Sequence, residues 1–219
     1  MGLLDDLKKQ AAEVRSQQVD EGEVRRQNIR QVDQKMRQTF QYLNDLFKQL
    51  AVLKPETSEK VFISGIGQVG GMKFADSFID YRTKRVDEVD YFDYINFYLR
   101  WQRPDKLVFE SDMLGTVAKV RDTLTEMRFK FTEESVKNER GHAAVRLSAD
   151  LGKVANITIK ASSADGKLLF DANNLTGPGM IRYAVPATAV DEALLESFAE
   201  LLLGQRSDFT KFRLAPGVR

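Results

Sequence analysis

"VDYFDYINFYLRWQRPDKLVFES", residues Val89 to Ser111, decides what kind of fold this chain can adopt. Val89, Tyr91, Ile95, Phe97, Leu99 and Trp101 alternate with Asp90, Asn96, Arg100 and Gln102, and a period of two places successive side chains on opposite faces of one long strand. Arg103-Pro104-Asp105 then turns the chain into "KLVFES", a second strand-like run. Strands joined by so short a connection are expected to pair antiparallel, because a parallel neighbour requires a long crossover. Phe92, Tyr94 and Tyr98 put rings on the second face too, so the sheet is expected to be covered on both sides: by a helix, another chain or a bound apolar ligand.

Toward the C-terminus, Met113, Val117, Val120 and Leu124 recur at helical spacing. The strand-like runs "RFKFTEESV", "HAAVRLSAD", "KVANITIKA", "KLLFDAN" and "MIRYAVP" follow, separated by turn-forming residues. Thr188 with Asp191 fits a capping box for a last helix, Ala189 to about Leu203, closed by Gly204. Toward the N-terminus, Leu3, Leu7, Ala11 and Val14, and later Ile29, Val32, Met36, Leu43, Leu46 and Leu50, form apolar stripes at spacings of three, four and seven. Gly22 predicts a bend or break between them, and Pro55 ends the second stretch.

The expected fold is therefore α+β, a mostly antiparallel sheet with internal and C-terminal helices and a long N-terminal helical arm. The arm spans 1–54 with its bend near Gly22, and the α+β domain spans 60–219. Two strand-then-helix blocks, 60–126 and 127–219, have the outline of a duplication without any residue-level repeat.

"GIGQVGG", Gly65 to Gly71, satisfies the dinucleotide-binding pattern at Gly65, Gly67 and Gly70 after the apolar run "KVFIS", and Asp90 lies at the spacing of a ribose-binding carboxylate. The neighbouring chain opposes that reading. "RTKRVDEVD" is too charged for the buried parallel strand that such a fold requires, and no strand–helix alternation follows. A glycine-rich turn or bulge between antiparallel strands is expected here, with nucleotide binding as the alternative.

The absence of cysteine removes thiolate chemistry, and the single histidine, His142, leaves imidazole catalysis one residue to run through. Asp87, Glu88, Asp90 and Asp93 are densely acidic but match no calcium loop, so no metal or other cofactor is expected. A formal net charge of +1 offers no field for nucleic acid, although Arg100 and Arg103 beside the aromatic strand raise the question. No secretory leader is apparent, and a cytoplasmic protein is expected.

These residues point to a non-catalytic protein that binds a partner, itself or another chain, through the helix stripe Ile29, Val32, Met36, Leu43, Leu46 and Leu50. Two alternatives are a carrier of a small apolar ligand in a cavity lined by Phe97, Leu99, Trp101 and Phe198, and a nucleotide-binding enzyme using Gly65 to Gly71. Peripheral membrane contact through Leu3, Leu4, Leu7 and Ala11 is a further alternative, disfavoured by the mixed charges Asp5, Asp6, Lys8 and Lys9.

Overall fold

The structure is a computed structural model describing the backbone of residues 3–215 and the side chains from residue 22 to 215. In chain order its elements are α1 (Leu3–Leu53), β1 (Val61–Ile63), β2 (Gly67–Val69), β3 (Lys73–Val86), β4 (Val89–Gln102), β5 (Leu107–Ser111), α2 (Leu114–Glu126), β6 (Lys130–Lys137), β7 (Ala143–Asp150), β8 (Gly152–Ser162), β9 (Lys167–Asn173), β10 (Met180–Pro186) and α3 (Glu192–Leu202). All strand pairings are antiparallel, within a five-stranded sheet in the order β10-β9-β8-β4-β3, a three-stranded sheet in the order β5-β7-β6, and the small hairpin β1-β2.

The β4 alternation sets the large sheet. Ile95, Phe97 and Leu99 lie opposite Ile159, Ile157 and Ala155 of β8, so this face is an apolar layer, with Trp101 opposite Lys153 at its end. Val32, Met36, Leu43, Phe47 and Leu50 of α1 and Leu194, Leu195, Phe198, Leu201 and Leu202 of α3 join that layer in the main core. Burying side chains of this size contributes about 1.5–3 kcal/mol each, so the C-terminal half of α1 is integral to a fold whose total stability is typically about 5–15 kcal/mol. The apolar stripe therefore covers its own sheet.

Where β4 runs past the end of β8, α1 takes over the missing neighbour's hydrogen bonds. Asp33 Oδ1 accepts from the Phe92 N–H at 2.6 Å, and Arg37 donates to the Asp90 carbonyl at 3.1 Å while lying over the Phe92 ring. Phe40, Tyr81 and Phe92 pack together beneath this pair.

Five sequence expectations are corrected. The ladder shifts between Arg82 and Thr83, where Tyr94 and Phe92 are the successive partners; this bulge at Asp93 brings Phe92 onto the core face and leaves Val89 exposed. "KLVFES" does not pair with β4: it becomes β5 and pairs with β7 in the smaller sheet. The second face of the large sheet is open, with Phe78, Asn96, Arg100, Asn156 and Lys160 exposed. Helix α1 is unbroken at Gly22, and α3 is capped by Asp191, whose carboxylate accepts from the Leu194 N–H, rather than by Thr188.

The chain also does not divide into halves at 126. Strands β3 and β4 share a sheet with β8 to β10, while β5, α2, β6 and β7 form a nested insertion with its own core around Val117, Val120, Leu124 and Leu147.

Candidate functional site

The glycine motif lies against this nested unit. Gly65 and Gly67 adopt φ values of +91° and +105° at the β1-β2 turn, and Gly71 follows at +84°. A Cβ on Gly65 would stand 3.0 Å from Val120 and 3.2 Å from Thr116, so the turn is glycine both for its left-handed backbone and to lie flat on α2. The next element is strand β3, without the helix N-terminus that would hold a pyrophosphate. Asp90 stands elsewhere, at the β3-β4 hairpin end, its carbonyl bound by Arg37. The structure does not bring Gly65, Gly67, Gly70 and Asp90 together as a nucleotide site.

The helix-stripe residues are likewise accounted for. Val32, Met36, Leu43 and Leu50 are buried, with Ile29 and Leu46 half-buried, so they are not available to a partner while the domain is folded. Phe97 packs 5.3 Å from Phe47 and 6.4 Å from Phe198, and Trp101 packs 5.6 Å from Phe74, measured between ring centroids. Those rings pack together between sheet and helices, where the carrier reading places its ligand chamber.

His142 is exposed beside the Asn138–Gly141 turn, and its backbone N–H donates to Asn138 Oδ1. In the acidic cluster, Asp93 pairs with Lys84 at 3.1 Å while Asp87 and Glu88 form the hairpin turn. Among the described residues no group of three or more His, Asp or Glu side chains is arranged to hold a metal ion, and no described helix is long and apolar enough to cross a membrane. On the open sheet face, Arg100 pairs with Asp76, Arg82 with Asp80, and Lys160 and Arg182 both with Asp171. Its aromatic pair, Phe78 on Tyr98, thus sits among neutralised cations, a poor match for a polyanionic strand.

A cleft of about 190 Å³ opens where the end of this face meets the nested unit. Arg100, Gln102, Arg128, Phe129, Lys130 and Asp150 line it. Lys153 also borders it, with its ammonium bonded to Glu59 and the Leu175 carbonyl; burial holds that ammonium below its ordinary pKa, partly offset by Glu59. Nothing in the sequence spacing exposes this cleft, because its walls come from β4, β8, the end of α2 and the β6-β7 ladder.

A second feature is the turn of α1 just before its packing on the domain begins. Glu23, Val24, Arg25, Arg26 and Gln27 are consecutive and all exposed. At about 100° per residue, five positions sample every side of a helix, so no face of α1 packs on the domain there. Packing begins at Asn28, whose side-chain amide group stands beside Gly166. The backbone helix continues to Leu3, and the side chains of Leu3, Leu4, Leu7, Ala11 and Val14 lie outside the described residues.

No protein-family model matches this chain, and no curated protein or solved structure gives a significant match.

Proposed function

We propose that the protein is a non-catalytic interaction protein that self-associates through the N-terminal part of α1. The carrying observation is the division of this helix: the stripe from Val32 to Leu50 is spent on the domain's own core, whereas the turn from Glu23 to Gln27 is free on every side. N-terminal to that free turn the sequence places Leu3, Leu7, Ala11 and Val14 at spacings of four, four and three. Such a stripe suits a coiled-coil seam. In proteins most helical stability comes from packing an amphipathic face, and burying this apolar side against another helix would supply it. The mixed signs of Asp5, Asp6, Lys8 and Lys9 suit a helical partner better than an anionic membrane surface.

The test is deletion of residues 3–21, which leaves every described core contact in place. Light scattering of the full chain is expected to give an oligomer, and of the shortened chain a folded monomer. A monomeric full chain overturns the proposal. Deleting further, through residue 50, would instead remove Val32, Met36, Leu43, Phe47 and Leu50 from the core and unfold the domain.

A further inference from the structure

Helices α2 and α3 end in the same backbone motif but with different residues at its critical position. At the end of α3 the Gly204 N–H donates to the Leu201 carbonyl and the Gln205 N–H to Glu200; at the end of α2 the Arg128 N–H donates to Thr125 and the Phe129 N–H to Leu124. Both are Schellman closures, which need one left-handed residue just past the helix, and glycine is the usual occupant. Gly204 has φ +74° and Arg128 φ +58°. Arginine at such a position is strained relative to glycine, and a locally unfavourable residue without a structural return is a pointer to function.

The structural return is absent: among the described residues Arg128 takes part in no ion pair and no side-chain hydrogen bond, and neither does Lys130, two residues on. What the two share is the cleft, which Arg100 and Gln102 also line. Arg100 is held by Asp76 at 3.5 Å and Lys153 by Glu59, so Arg128 and Lys130 are the cations whose charge is left to spend. Asp150, opposite Lys130 in the β6-β7 ladder, lines the cleft without closing an ion pair to it.

We propose that this cleft binds a small phosphate-bearing anion and that Arg128 is kept in its strained position to reach it. A planar guanidinium fork and a nearby ammonium match a phosphate group, and the volume of about 190 Å³ limits the ligand to a phosphate group with a small body. Phe129 supplies an apolar wall for that body.

The experiment is calorimetric titration of the full chain with phenyl phosphate, inorganic phosphate and benzoate, alongside thermal melting. Saturable one-to-one binding of phenyl phosphate is expected, with benzoate at least tenfold weaker. Arg128→Gly is expected to raise the melting temperature, by relieving the left-handed residue, while weakening phenyl phosphate at least tenfold. Asp150→Asn, which removes the one unpaired carboxylate of the cleft, is expected to tighten binding, and Lys84→Ala on the distant hairpin to leave it unchanged. Absence of saturable binding to the full chain overturns the proposal, as does an Arg128→Gly variant that binds like the original or melts lower. Equal affinity for benzoate overturns the assignment to phosphate.

Discussion

Asp87 and Glu88 show how much strain single residues carry here. They are the two loop residues of the β3-β4 hairpin, between the paired Val86 and Val89, and their φ values are +49° and +64°. Two positive values in a two-residue loop are the signature of a type I′ turn, whose favoured pair is Asn-Gly. Replacing Asp87-Glu88 by Asn-Gly is expected to stabilise the fold by about 1 kcal/mol in denaturant unfolding, because neither new residue resists the left-handed region. The sequence marked this stretch only as acidic. Periodicity locates a turn, but it does not report the sign of φ within it.

Asp171 has the opposite role, a carboxylate that supports the native state. Burial alone would raise its pKa, but hydrogen bonds from Arg182 at 2.6 Å and Lys160 at 2.9 Å outweigh burial and hold it below its ordinary value. A depressed folded-state value means that its contribution is complete above the unfolded carboxylate value of about 3.9 and is lost as pH falls below that. Asp171→Asn is expected to be less stable than the original chain at neutral pH, with the gap closing as pH drops from about 4 toward 2. A gap that does not change with pH would contradict this assignment. The glycines were more legible than either carboxylate position: "GIGQVGG" announced a sharp turn, and its charged neighbours announced an antiparallel one. That Gly65 also makes room for Val120 and Thr116 is a tertiary fact, beyond any local pattern.

Among the elements, β4 was legible in type and extent, because alternation over fourteen residues is a strong signal. Its face assignment failed at one end, where the Asp93 bulge advances the pleat and exchanges Phe92 for Val89. A bulge is set by what the partner strand and α1 require, here the Asp33 and Arg37 bonds to the β4 backbone. For α1 the stripe was legible and its partner was not: an amphipathic pattern states that a face must be covered without stating by which chain. Leu43 decides the matter experimentally. It is fully buried in the main core, so Leu43→Ala is expected to cost about 2–5 kcal/mol in unfolding of the domain itself. A variant whose unfolding midpoint and slope match those of the original chain would show that α1 is not packed on its sheet.

For the whole molecule, α+β class, antiparallel pairing and the helix–strands–helix–strands–helix order followed from local pattern, since each element carries its own period. The nesting did not. A short turn such as Arg103–Asp105 is compatible with a hairpin or with a change of sheet, and the choice rests on β7 and β8, some forty residues later in the chain. The cleft arises from that nesting, which is why Arg128 and Lys130 stood unremarked in a sequence where they are two basic residues after a helix.

The molecule that results is a domain closed by the C-terminal half of α1, preceded by the exposed turn from Glu23 to Gln27. The most direct measurement is therefore mass and melting temperature, taken together, before and after deletion of residues 3–21. The shortened chain is expected still to melt as a cooperative domain, with its mass falling from an oligomer to a monomer. An unchanged oligomeric mass, or a loss of cooperative melting, would contradict the division of α1 into a core half and an associating half.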